Sequence, residues 1–158
     1  MGIFNISKSG RKTILSATLV AGTLDILAAF LVYAIILEKT SPAKILMSIA
    51  SGIFGKAAYS GGTAMVITGL LLHFLIAFIF TVFYYLVFPG LSFLRSHRLL
   101  SGILYGIFIW LVMNLGVLQI VFEGMPLPDP RSALLGIAIV VVAVGIPISY
   151  MVSASGRR

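Results

Sequence analysis

The chain has 158 residues, 60% of them hydrophobic and only 9% charged, with a formal net charge of +7. A soluble domain normally carries about 25% charged residues, so this composition excludes a surface covered by water and makes lipid the solvent for much of the chain. It leaves no room for a separate soluble domain, and residues 1–158 are expected to form a single transmembrane domain.

A polar arm carrying Lys8, Arg11 and Lys12 leads into a first apolar run over 13–37. At 1.5 Å per residue this run spans a hydrocarbon core of about 30 Å. It is too long for the 7–15-residue core of a cleaved signal, so it is expected to be retained. Asp25 sits near its middle, and the other carboxylates (Glu38, Glu123 and Asp129) fall outside every apolar run. A charge at bilayer depth costs about 2.5–3.5 kcal/mol on insertion scales, which makes Asp25 a candidate functional residue.

The first loop is unusual. Its sequence predicts a short helix over 42–55 that opens at Pro42 and turns Ile45, Leu46, Ile49, Ile53 and Phe54 to one side. It is too short to span. Two readings remain open: a helix lying flat on the outer interface, or a re-entrant segment carrying Lys56. Lys56 is a candidate contact for an anion or a lipid headgroup. Gly55-Lys56 lacks the spacing of a phosphate-binding loop. Ser60-Gly61-Gly62-Thr63 offers an N-cap for the next helix.

The second run, 64–88, carries His73 and is closed by Pro89-Gly90. The third, 100–122, carries Trp110 near mid-span and Asn114. Pro126, Pro128 and Pro130 interrupt the chain before the fourth, 133–153, where Pro147 after Gly145 predicts a kink. Tyr33, Tyr84, Tyr85, Tyr105 and Tyr150 mostly lie near run ends, as interfacial aromatic belts do. Trp110 and Tyr84 are also candidate pocket walls. The expected fold is all-α: a polytopic integral membrane protein, a bundle of four transmembrane helices with a short interfacial helix in the first loop.

Orientation follows from Lys and Arg. The arm, the second loop (Arg95, Arg98) and the tail (Arg157, Arg158) hold seven on one side, against Lys39, Lys44, Lys56 and Arg131 on the other. Seven against four predicts both termini in the cytoplasm. Because the positive charge flanks apolar helices, the partner it implies is the lipid bilayer, and no nucleic acid is expected.

Depth by helical rise puts Asp25 about 18 Å, His73 about 17 Å and Asn114 about 21 Å from the inner side. Each lies on a stripe of small residues: Thr18, Ala21, Gly22, Asp25, Ala28 and Ala29; then Gly69, His73, Ala77, Thr81 and Tyr84; then Gly106, Trp110 and Asn114. Small residues let helices approach closely in lipid, so these polar side chains are expected to point toward protein. A carboxylate out of water and an imidazole that titrates near neutrality form an ion pair or share a proton. Such a pair serves a proton-coupled carrier, and equally a packing network that satisfies buried polar groups.

Enzyme chemistry is not expected. Cysteine is absent, and no Ser/His/Asp arrangement, His-Glu-x-x-His spacing or acidic pair for Mg²⁺ occurs. No catalytic residue, metal or other cofactor is therefore assigned. Bis-histidine haem would need a second buried histidine, and His97 lies in a loop. The leading expectation is proton-coupled movement of a small solute, with Asp25 as proton site, His73 as its partner and Asn114 as an orienting amide. Four helices enclose little space, so a homo-oligomer or another membrane protein is the expected partner. The alternatives are a non-transporting accessory, assembly or envelope-stress protein, and a lipid-binding protein using the first-loop helix and Lys56.

The run Gly69-Leu-Leu-Leu-His73-Phe-Leu-Ile-Ala-Phe-Ile-Phe-Thr81, with Tyr84-Tyr-Leu-Val-Phe-Pro89, Gly102-x-x-Tyr105-Gly106, Trp110…Asn114 and Ser51-Gly-Ile-Phe-Gly-Lys56, resembles a group of small bacterial inner-membrane proteins of unknown function. It distantly resembles the YagU inner-membrane family, where a similarly placed histidine precedes a proline-terminated span. The resemblance implies a four-helix protein of the bacterial inner membrane and no particular activity. The first helix is also similar to that of small multidrug-resistance transporters, which have four short helices and one membrane carboxylate in the first. Here Asp stands for their Glu, their surrounding motif is missing and the first loop is longer. That likeness bears on mechanism alone.

Overall fold

A computed structural model describes residues 6–87, 90 and 96–155. Four long apolar helices run through it: α1 (Lys8–Ile36), α3 (Gly62–Val87), α4 (Arg98–Val121) and α5 (Pro130–Ser155). The shorter α2 (Pro42–Phe54) lies between α1 and α3 and continues as a 3₁₀ segment, Gly55–Ser60. The expected stop at Pro89 and the basic residues Arg95, Arg157 and Arg158 lie outside the described residues.

The four long helices start before their apolar runs, and at α1 and α5 a side-chain cap sets the start. Ser7 Oγ accepts from Gly10 N–H at 3.0 Å, so α1 begins before its apolar stretch. Ser41 caps α2 with Pro42 at its first position, and Asp129 caps α5 with Pro130 following. α3 begins within the expected Ser60–Thr63 stretch, at Gly62, and the Ser60 hydroxyl donates to the Ala57 carbonyl at 3.0 Å. The turn into α3 uses Gly62 at φ +57°, a backbone state that glycine adopts without steric cost.

Many large apolar side chains are exposed, among them Ile120 at 79%, Leu134 at 70% and Leu71 at 67%. Water would penalise such a surface and lipid does not, so the chain is an integral membrane protein with four spans. Inside the bundle α1 lies between α3 and α5, and α4 packs along α5. The α4–α5 seam is a backbone contact. A Cβ on Gly102 would fall 2.7 Å from Ile146 Cα, and one on Gly106 2.5 Å from Val141 Cα. The α3–α4 side is closed by aromatic rings, with Tyr84 and Tyr105 centroids 4.7 Å apart. A crevice of about 180 Å³ remains there, lined by Phe83, Tyr84, Ser101 and Tyr105 among others.

α2 packs against α3, where the Leu46 carbonyl presses on Gly69. Its buried residues are Leu46, Ala50 and Ser51, whereas Ile53 and Phe54 are exposed. The apolar side expected for this helix is thus corrected. Bulky side chains are cheap to leave facing lipid, and small ones permit the close approach. Three spans contain π-helical stretches: Phe30–Ile36, Val112–Val117 and Val141–Gly145. The last precedes Pro147 and bonds Ile146 N–H to the Val141 carbonyl. A widened turn of this kind accommodates a proline that cannot donate, where a kink was predicted.

Candidate polar site within the bundle

The small-residue stripes face protein. The buried residues of α3 are Gly69, His73, Ala77, Thr81 and Tyr84, the whole expected stripe. On α1, Thr18, Ala21 and Gly22 are buried, while Asp25, Ala28 and Ala29 are half-buried.

His73 crosses to α1, where its Nε2 lies 2.8 Å from the Gly22 carbonyl oxygen. A carbonyl only accepts, so Nε2 carries the hydrogen, leaving Nδ1 as the basic atom of the neutral ring. Gly22 has room for this because it lacks a side chain: a Cβ there would sit 2.7 Å from the Phe74 ring. Asp25 follows Gly22 by three residues, on the same face. Its carboxylate lies within electrostatic reach of His73 and of Tyr33 on its own helix. No hydrogen bond reaches that carboxylate among the described residues. The contact between the two residues is therefore one of charge.

Asn114 does not join them through its amide. Its Nδ2 donates to the Trp110 carbonyl at 3.0 Å, one turn back on its own helix. Its backbone carbonyl accepts from Gln119 Nε2 at 3.3 Å, within the π-helical stretch. A shared depth does not fix a shared partner, because an amide in lipid satisfies itself first on the nearest free backbone group. Trp110 is buried with its indole over Gly136 of α5, away from the α3–α4 crevice. Lys56 is exposed in the 3₁₀ segment beyond α2.

Tyr84 differs from the interfacial expectation. It is 1% exposed, and its hydroxyl donates to Ser149 Oγ at 2.9 Å. Ser149 Oγ in turn donates to the Arg98 carbonyl at 2.8 Å, and Ser101 supplies a further hydroxyl bonded to Tyr84. This node ties α3, α4 and α5 together. Tyr105 is buried too, donating to the Phe80 carbonyl. Serines at 149 and 153, spaced by four in an otherwise apolar run, were the signal available in the sequence for this node.

No family model, curated protein or solved structure matches the chain. Among the described residues no three His, Asp or Glu side chains converge as a metal site would require. The geometry defines a four-span membrane protein in which His73 of the second span bonds the Gly22 carbonyl of the first, with Asp25 one turn further along the same face.

Proposed function

We propose that the protein moves protons, coupled to a small solute, across the bacterial inner membrane with both termini in the cytoplasm, and that it is not an enzyme. Asp25 is the proton site and His73 its coupled partner. One observation carries this reading: His73 is buried and fixed by Nε2 to the Gly22 carbonyl, which leaves Nδ1 and the nearby Asp25 carboxylate as two protonatable groups free of hydrogen bonds. A network built only for packing would saturate such groups. Four helices enclose little space, so a homo-oligomer supplies the rest of the solute path.

In proteoliposomes, Asp25→Asn is expected to abolish proton-coupled flux while leaving the melting temperature close to that of the parent protein. Unchanged flux in that variant would overturn the proposal. The alternative of a non-transporting accessory protein draws support from the exposed Ile53, Phe54 and Tyr59 around Lys56, an apolar cluster beside α2. That reading predicts a protein insensitive to Asp25→Asn and sensitive to changes at 53–59.

A further inference from the structure

The interior polar groups are unevenly distributed along the bundle axis. The start of α1 and the end of α5 lie at one end, here called the terminal face. Counting helical rise along each helix from its end at that face, Ser153 and Ser149 lie about 3 and 9 Å along α5, Tyr84 and Thr81 about 5 and 9 Å along α3, and Thr18 about 15 Å along α1. Of these helices α5 projects furthest outward, because Ser149 meets the Arg98 carbonyl at the start of α4. Gly22 and His73 follow at about 21 Å and Asp25 at about 26 Å, with all five hydroxyl residues buried. The mouth is marked by Thr13 Oγ1 donating to Ser155 Oγ at 2.7 Å, between α1 and α5. Beyond Asp25 toward the other face the one buried hydroxyl among the described residues is Ser51, on α2, and it donates to the Ser48 carbonyl of its own helix. There the Leu46 backbone presses on Gly69, one turn outward of His73, and closes the α1–α3 side.

Serine and threonine in apolar helices usually bond back to their own backbone, as Thr81 does to Ala77. The rest of this set does not follow that habit. Ser149 and Tyr84 bond across helices. Thr18 Oγ1 and Ser153 Oγ are enclosed and have no hydrogen-bond partner among the described residues. A buried hydroxyl needs one, and water is the ligand of matching size that both donates and accepts.

We infer that the Asp25–His73 pair exchanges protons with the terminal face alone, along a file of hydroxyls from Ser153 through Ser149, Tyr84 and Thr81 to Thr18, with water bound at Ser153 and Thr18. This rests on the proton-site reading of the pair. Each hydroxyl takes a proton on one side and releases one on the other, so the file keeps its protons in number. Rotation of the hydroxyls, including Ser149 from the Arg98 carbonyl and Thr81 from the Ala77 carbonyl, resets its hydrogen bonds after a passage. The proton ends on the Asp25 carboxylate or His73 Nδ1. Other titratable or charged groups on the packed elements are Lys8, Arg11, Lys12 and Tyr33 of α1, Lys44 of α2, Tyr85 of α3, Arg98 and Tyr105 of α4, and Arg131 and Tyr150 of α5. Tyr33 is within electrostatic reach of Asp25.

The test uses the full chain in vesicles whose orientation is fixed by protease access to a terminal tag. A membrane-soluble carbodiimide reacts with a protonated carboxyl and reaches it through lipid, so labelling of Asp25, read by mass spectrometry, reports its protonation without any transport assay. Lowering the pH on the terminal face from about 8 to about 5.5, across the histidine range, is expected to raise labelling several-fold. The same change on the opposite face should leave it unaltered. Thr18→Val with Ser153→Ala should slow the response several-fold, and restoring Thr18 as Ser should recover it. Labelling that follows the opposite face, or a response untouched by the double variant, would overturn the file while leaving the pair as a proton site. Labelling indifferent to pH on both faces would overturn the pair itself.

Discussion

Two seams of this bundle are both lined with glycine and do different things. Between α4 and α5, Gly102, Gly106 and Gly145 bring backbone against backbone. Between α1 and α3, Gly22 makes space for the Phe74 ring and leaves its carbonyl open to His73. The first seam spends the missing Cβ on helix contact, and the second on access to a peptide oxygen. The same residue type thus marks a rigid weld in one place and a polar site in the other.

Adding a methyl group to each separates them. Gly145→Ala would put Cβ 2.7 Å from Gly106 N, against atoms that no rotamer change can move. Overpacking typically costs about 1–3 kcal/mol, and this position belongs at the upper end or beyond. Gly22→Ala meets the Phe74 ring, which can turn, so the loss should be about 0.5–1.5 kcal/mol. Thermal unfolding in detergent would show the order, and equal losses at the two sites would erase the distinction.

Tyr84→Phe probes the hydroxyl node beside the weld. It leaves Ser149 bonded to the Arg98 carbonyl, so a loss of about 0.5–1.5 kcal/mol is expected, the net worth of a typical hydrogen bond. The smallest effect lies outside the lipid. Hydrogen bonds from Ser132, reinforced by that from Arg131 N–H, hold the Asp129 carboxyl below its usual range. Its folded pKa is lowered, so its contribution is fully present above the ordinary value of about 3.9 and is lost as pH falls through the folded value. Amide exchange at the start of α5 should quicken below about pH 4, and Asp129→Ala should remove that pH dependence.

Much of the fold was legible because lipid imposes one rule on length and another on small residues. The four spans and the α3 stripe from Gly69 to Tyr84 follow from those rules directly. Partners were less legible. Helical spacing placed Asn114 on an inward face, yet its amide found the Trp110 carbonyl before any other helix. The sequence puts Tyr84 on an inward stripe, as a pocket wall, and also among the tyrosines near helix ends. It is buried on that stripe and lines the crevice. The partner of its hydroxyl, Ser149, lies 65 positions away and was not legible. The π-helical stretches have no periodic signature, since one extra residue in a turn disturbs a pattern without announcing itself.

The acceptor for His73 is a main-chain oxygen. Side-chain replacement cannot remove it, so a residue-by-residue scan of α1 would find Asp25 and miss the acceptor that holds the His73 ring. Such a scan would register Gly22 only as a position intolerant of bulk. Half of the cross-helix tether is thereby hidden from mutation, and an amide-to-ester exchange at that peptide bond, which weakens the acceptor, is the substitution that would expose it.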